Sequence, residues 1–265
     1  MNGPDQLHAP ILCSDCGIYQ LCLPTGIGQA DIELLDKIVK NRRIFKRGEY
    51  LYRLGHPFHS VYALRSGSVK TYVLMDDGRV QITGFHIAGE LLGLNAVNTR
   101  VYSCEARALE TTSVCEIPFD RLEELGQQVP SLQYQMLRVM SQEIAYNQEL
   151  MLLLGKKNAD ERLATYLIGL SSRFAKRSYS PTEFNLSMSR SDIGNYLGMA
   201  EETVCRVLAR FEQEGLISMQ RRLVRLKDIE KLAAVAQGGG KAESPSPAVG
   251  KRPQSPVSSR NKQIG

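Results

Sequence analysis

Cys13-Ser-Asp-Cys16-Gly-Ile-Tyr-Gln-Leu-Cys22 is the densest concentration of reactive side chains in the sequence. Three thiols this close together have the types and spacing to converge on one metal centre. Structural zinc and iron–sulfur clusters both take cysteine thiolates, and both call for a fourth ligand. The spacing does not choose between the two. Cys115, in the β-like segment Val114-Cys-Glu-Ile-Pro, and Cys104 are the candidates for the fourth position. A single cysteine in a strand is otherwise a small buried apolar residue.

A second constellation runs from Ser189 to Phe211. Ser189 can cap a helix whose buried side is Ile193 and Leu197. Gly198 ends that helix, Met199-Ala200 completes a turn, and a second helix follows with Val204, Val207, Leu208 and Phe211 on its apolar face. Gly194, lacking a side chain, lets the two helices approach. Two helices joined by a short Gly-containing turn form a helix-turn-helix. On the second helix Glu202, Cys205 and Arg206 fall at i, i+3 and i+4, opposite the apolar face. A guanidinium bonds guanine bidentately and a carboxylate accepts from cytosine N4, so Glu202 and Arg206 are candidate readers of one G·C pair in a major groove. The competing reading is a surface i,i+4 ion pair. Ser189 and Arg190, at the start of the first helix, belong to the same candidate DNA-binding set. So do Arg221 and Arg222 in the run Arg221-Arg222-Leu-Val-Arg225, which is expected to be a basic β-wing binding phosphates. The alternative there is a solvated strand.

Other elements must position these residues. From about Asp31 to Pro130 the sequence is mainly β, with segments such as Ser68-Val-Lys-Thr-Tyr-Val-Leu and Val80-Gln-Ile-Thr-Gly-Phe. Gly48, Gly55, Gly67, Gly78 and Gly89 punctuate it, which is the rhythm of a small antiparallel barrel or jelly roll. Asp76-Asp77-Gly78 predicts a hairpin turn. A long helix over 131–158 follows, where Leu137, Met140, Ile144, Asn147, Met151 and Leu154 recur at alternating spacings of three and four. That is the seam of a two-stranded coiled coil interrupted by Asn147, hence a homodimer interface. The alternative is a stripe that packs on its own barrel. The expected fold is therefore α+β. A Cys-rich arm (1–28) precedes an N-terminal antiparallel β-roll or jelly-roll domain (29–130). The coiled-coil dimerisation helix (131–158), a C-terminal winged helix-turn-helix (159–236) and a disordered basic tail (237–265) follow.

Charge agrees with that layout. Residues 1–158 hold 16 Lys and Arg against 17 Asp and Glu, whereas 159–236 hold 12 against 10 and the tail 5 against 1. The positive excess lies where a phosphate-binding module needs it. Met1 to Ala9 lacks the basic start and apolar stretch of a signal peptide, and the aliphatic run Leu150 to Leu154 is too short to span a bilayer. The expectation is a cytoplasmic protein with reduced thiols and no membrane partner. No nucleophile–base pair, paired-carboxylate site or phosphate-binding Gly loop is present, so an enzyme is not expected. His56, His59 and His86 read as structural or solvated residues.

The sequence resembles the fumarate and nitrate reduction regulator (FNR) branch of the cyclic-AMP receptor protein superfamily over about residues 10–236. The Cys13–Cys22 run, Gln81-Ile-Thr-Gly-Phe-His, Val114-Cys-Glu-Ile-Pro-Phe, Leu152-Leu-Leu-Gly-Lys-Lys-Asn-Ala-Asp-Glu-Arg-Leu and Ser191-Asp-Ile-Gly-Asn-Tyr-Leu-Gly carry the resemblance. It implies a cyclic-nucleotide-binding-like sensor domain and one 4Fe-4S cluster per subunit on Cys13, Cys16, Cys22 and Cys115. It also implies a dimer that binds palindromic TTGAT-like DNA while the cluster is intact. Oxygen then converts the cluster to a 2Fe-2S form, the dimer loosens and the DNA is released. The output implied is control of anaerobic-metabolism genes through RNA polymerase, with the loop around Gly78 as one polymerase-facing region.

Two positions depart from the family pattern. Cys205 stands where the family usually has Ser, which puts the neighbouring base preference in doubt and offers an oxidisable thiol. Asn147 stands where the best-matched relatives place Asp, which removes a carboxylate repulsion across the seam and predicts a dimer less dependent on the cluster. Two rivals share the scaffold: a zinc-stabilised DNA-binding regulator and a cyclic-nucleotide-responsive activator. Gly89-Glu-Leu-Leu-Gly93 resembles part of a nucleotide pocket. The Arg-Ser or Arg-Thr pair expected for the cyclic phosphate is replaced by Tyr102-Ser-Cys-Glu-Ala-Arg107.

Overall fold

The computed structural model describes residues 13, 16, 17, 21–23, 26–39 and 41–239. The tail after Gly239, and most of the arm before Gly26, lie outside the described residues. The chain runs through α1 (Gln29–Ile38), β1 (Asn41–Phe45), β2 (Tyr50–Tyr52), β3 (Ser60–Ser66), β4 (Ser68–Leu74) and β5 (Val80–Ile87). It continues with β6 (Leu91–Leu92), a 3-10 turn (Leu94–Ala96), β7 (Glu105–Ala108), β8 (Thr112–Pro118) and α2 (Phe119–Gln128). Two four-stranded antiparallel sheets result, in the orders β1-β8-β3-β6 and β2-β7-β4-β5. Their facing residues share one core with α1 and α2, including Leu35, Val61, Leu64, Val69, Val114 and Leu122. Leu23 of the arm is fully buried in that core. This is the antiparallel β-roll that the alternating strands and glycine rhythm call for. The β4–β5 hairpin closes at Gly78, whose φ of +82° suits a residue without a Cβ. Met75 N–H donates to Arg79 O at 2.8 Å across the turn.

α3 (Pro130–Lys156) begins with Pro in its first turn, where the missing N–H has no partner to lose. At 27 residues it spans about 40 Å. Leu132, Gln135 and Leu153 are its buried residues. Leu137, Ile144 and Met151, seven residues apart, are 59–66% exposed and form an uncovered apolar stripe. The six seam positions are not equivalent. Met140 is half-buried and Asn147 exposed, and both line a cavity beside the β-roll. Leu154 packs against the C-terminal core, because the chain turns back on itself just beyond it.

α4 (Ala159–Ala175) starts at a capping box, in which the Asn158 and Glu161 side chains each take up the other's backbone N–H. β9 (Glu183–Asn185), α5 (Arg190–Leu197), α6 (Glu201–Gln213), β10 (Ile217–Gln220), β11 (Leu223–Leu226) and α7 (Ile229–Ala236) follow. A three-stranded sheet ordered β10-β11-β9 backs the two short helices, completing a winged helix-turn-helix. Its core is Leu163, Leu167, Leu186, Ile193, Leu197, Val204 and Phe211, and it extends onto Tyr72, Ile82 and Phe85 of the β-roll.

Candidate functional site

Cys13, Cys16, Cys22 and Cys115 line one cavity. The first three are held by the arm. Cys13 N–H donates to the Asp36 carboxylate of α1 at 2.7 Å, and Cys16 N–H donates to Cys13 O at 3.2 Å. Gln135 Nε2 of α3 donates to Cys22 O at 3.4 Å. Cys115 comes from β8, opposite Arg42 of β1 and Ala63 of β3. The remaining lining is apolar, from Leu23, Leu35, Val39, Ala63, Leu64 and Ile117, with Arg65 as its one charged residue among the described residues. Burial, aided by a hydrogen bond to the Asp36 carboxylate, raises the Cys13 thiol. Burial pushes Cys22 up to about 12 and raises Cys115 as well. Without a cation these three are neutral thiols at pH 7, and a metal would have to displace their protons. The free space is about 30 Å³. Among the described residues no three His, Cys, Asp or Glu side chains form a ready-made metal-binding group. Cys104 lies elsewhere, on a second cavity.

The helix-turn-helix is built as its residue types dictate. Ser189 Oγ accepts from Asp192 N–H at 3.0 Å while the Asp192 carboxylate accepts from Ser189 N–H at 3.1 Å, a reciprocal cap on α5. Gly198 ends α5 in the left-handed region. A Cβ on Gly194 would lie 2.6 Å from Met199 O, so the tight turn depends on glycine there. On α6, Val204, Val207, Leu208 and Phe211 are buried, whereas Glu202, Cys205 and Arg206 are exposed on the outer face. No ion pair joins Glu202 to Arg206 among the described residues. Ser189 is exposed and Arg190 half-buried. Arg221 and Arg222 form the exposed β10–β11 turn, and Arg225 is drawn into an ion pair with Glu183 at 2.5 Å.

Residues 42–129 match the family model described as cyclic nucleotide-binding domain, and residues 161–235 match the Crp-like helix-turn-helix domain. The chain is 53% identical over 226 residues to transcriptional activator protein anr of Pseudomonas aeruginosa, covering 85% of this chain and 93% of the relative. It is 44% identical over 226 residues to the fumarate and nitrate reduction regulatory protein of Salmonella typhimurium, covering 85% and 90%. The chain belongs to the FNR branch of the cyclic-AMP receptor protein superfamily. Among solved structures, FixK2 from Bradyrhizobium japonicum is similar with a TM-score of 0.68 at 30% identity, covering 74% of this chain and 96% of that one. This FNR-type chain is therefore a transcription regulator with a DNA-binding helix-turn-helix.

The second cavity, about 510 Å³, lies between the β-roll and α3. Among its described lining residues there is no Lys or Arg, and Glu143 contributes a carboxyl that burial raises. The two residues resembling nucleotide ligands are engaged elsewhere. Arg107 Nε donates to Gly48 O at 2.8 Å, and Glu90 is ion-paired with Arg173 and Arg177 at 2.7 Å each. Burial opposes ionisation of Glu90, but these arginines outweigh it and hold the carboxyl below its usual range. A cyclic phosphate would find no cation among these lining residues, which disfavours the nucleotide-responsive rival. His86 also lines this cavity, and burial pushes its imidazole down to about 4. The imidazole is thus neutral at pH 7, and its 3.8 Å approach to the Glu90 carboxylate is not an ion pair there.

Several joining residues were not singled out by sequence. Arg162 donates to Leu154 O at 2.8 Å, Lys157 O at 2.9 Å and Leu197 O at 2.9 Å, tying the end of α3 to the helix-turn-helix. Asn195 bonds the edge of β5, accepting from Ile82 N–H at 2.6 Å and donating to Val80 O at 2.7 Å. The Asp192 carboxylate pairs with Lys70 at 2.6 Å. The available sequence cues were the arginine inside the Leu152–Leu163 segment and Asp192 and Asn195 inside the Ser191–Gly198 run, with nothing to say what they would reach.

Proposed function

We propose that the protein is an oxygen-responsive transcription regulator that binds palindromic TTGAT-like DNA as a homodimer while a 4Fe-4S cluster is intact. It would control genes of anaerobic metabolism from the cytoplasm. The observation that carries the reading is the convergence of Cys13, Cys16, Cys22 and Cys115 on one apolar cavity, although Cys115 is remote in sequence. Among the described residues the cavity lining holds four thiols and no carboxylate, which suits an iron–sulfur centre. When bound, the cluster supplies an oxygen-labile link between arm and β8; the chain's own residues carry the rest. Asp36 and Gln135 hold the arm's backbone, and burial of Leu23 anchors its end.

On α6, Glu202 and Arg206 would read a G·C pair, with Cys205 against the neighbouring base. Ser189, Arg190, Arg221 and Arg222 would take phosphates. The uncovered stripe of Leu137, Ile144 and Met151 supports a partner α3, with Met140, Asn147 and Leu154 on its flanks. The hairpin tip at Gly78, flanked by exposed Leu74, Met75 and Val80, would face RNA polymerase. The test is to purify wild-type, Cys115→Ala and Cys104→Ala proteins without oxygen and measure iron, sulfide, zinc and the visible spectrum. Brown, iron- and sulfide-containing protein that bleaches in air is expected for the wild type and Cys104→Ala only. Colourless protein with one zinc refutes the sensor reading and supports the zinc-stabilised rival.

A further inference from the structure

The turn between β5 and β6 touches both the cysteine arm and the DNA-reading half. Gly89 has φ +87°, and a Cβ there would lie 2.9 Å from Leu21 Cβ and 3.8 Å from Arg177 Nε. The residue before Cys22 and a guanidinium just past α4 therefore both approach this glycine where a Cβ would stand. Glu90 follows. Its carboxylate accepts from Arg173 at 3.0 and 2.7 Å and from Arg177 at 2.7 Å. The same arginines reach the turn's backbone, Arg173 donating to Phe85 O at 2.6 Å and Arg177 to Ala88 O. The Arg177, Arg173 and Glu90 side chains are 6, 18 and 21% exposed, so the joint is mostly shielded from water.

A buried charge network tolerates little displacement, because a lost partner leaves an uncompensated charge. Close packing likewise makes such a joint shift between discrete arrangements rather than bend. We infer that Gly89 and Glu90 form a joint through which the seating of the cysteine arm sets the position of the DNA-reading half within the same subunit. This acts beside the route through the dimer helix, which the arm reaches separately at Gln135. The inference rests on the proposed function in taking the arm's position to depend on the metal centre.

Two measurements on the full-length protein test it. Glu90→Gln keeps the side chain's size and removes its charge. Its DNA affinity is measured, cluster-loaded and after air, above the dimer dissociation constant found by sedimentation. Iron content and dimer constant are expected to match wild type. The ratio of the two DNA affinities is expected to fall by about fivefold or more, the lower end of typical coupling between sites. An unchanged ratio overturns the joint. Leu21→Gly removes both the Cβ and the Cδ1 that approach Gly89 without touching a thiol, and its hydrogen exchange is compared with wild type, both without metal. Faster exchange across 85–93 and 170–178 is expected, and unchanged exchange there overturns the joint even if Glu90→Gln fails to fold. A wild type that binds no iron refutes the cluster reading alone, since the exchange comparison still decides the joint.

Discussion

Gly194→Ala and Gly169→Ala make the same chemical change with opposite expected signs. Both glycines sit inside helices, where alanine is intrinsically favoured by about 1 kcal/mol. Gly169, on the exposed side of α4, would place its added methyl with no heavy atom within 4 Å, so that preference is realised in full. A methyl on Gly194 would lie 2.6 Å from Met199 O and 3.5 Å from Ala200 C and Glu201 N. All three are backbone atoms of the turn, and Met199 N–H is itself bonded to Gly194 O at 2.8 Å. No side chain can swing aside, so the turn must shift. Overpacking of this kind costs about 1–3 kcal/mol, occasionally more; against backbone that cannot swing aside the upper half of that range, about 2–3 kcal/mol, leaves a net loss of about 1–2 kcal/mol after the helical gain. Gly194→Ala is expected to lower Tm by about 2–8 °C, and Gly169→Ala to leave it equal or higher. Because the shifted turn reorients α6 on α5, Gly194→Ala should also weaken half-site binding at temperatures where it is folded. Calorimetry and DNA titration check both. Gly194→Ala as stable as wild type, with unaltered DNA affinity, would refute the close-packing argument.

Arg206→Ala is expected to cost about 1–3 kcal/mol on the specific half-site and to relax its G·C preference, read by titrating base-substituted duplexes. Arg221→Ala should weaken all sequences alike and lower the salt slope by about 1; a sequence-dependent loss would contradict a phosphate role. Asn147→Asp is expected to weaken the metal-free dimer roughly fivefold or more, from about 1 kcal/mol of carboxylate repulsion even in water-like screening, and equal constants by ultracentrifugation would sink the idea. His86, ordinarily near 6.5, is held to about 4 by burial. It is neutral in the fold and takes a proton on unfolding, so its contribution is full above pH 6.5. That contribution is lost as pH falls toward 4, in total about 3 kcal/mol. An imidazole seen by NMR to titrate near 6.5 in the folded protein would refute this.

The elements themselves were legible in the sequence because local rules set them. Alternating β-branched residues between glycines became two antiparallel sheets, Asp76-Asp77-Gly78 became a hairpin, and Ser189 and Gly198 bounded α5 through a cap and a left-handed turn. The outward face of α6 followed from helical period alone. What periodicity left undecided was which distant residues meet. By spacing alone both Cys115 and Cys104 were candidates for the fourth partner, although the resemblance implied Cys115. Only the pairing of β8 with β1 and β3 puts one beside the arm and leaves the other on a separate cavity. The seam of α3 likewise read as one continuous stripe interrupted by Asn147. The return of the chain into α4 half-buries Leu154 and leaves Leu137, Ile144 and Met151 uncovered. Glu90 with Arg173 and Arg177, Arg162 with the ends of α3 and α5, and Asn195 with β5 carry no local signature. Apart from the end of α3, which lies five and eight residues from Arg162, their partners are separated by many residues of chain and are selected by how the two halves pack. Sequence therefore determined the parts and their exposed chemistry. Tertiary structure decided the joints, because long-range side-chain partners depend on packing rather than period.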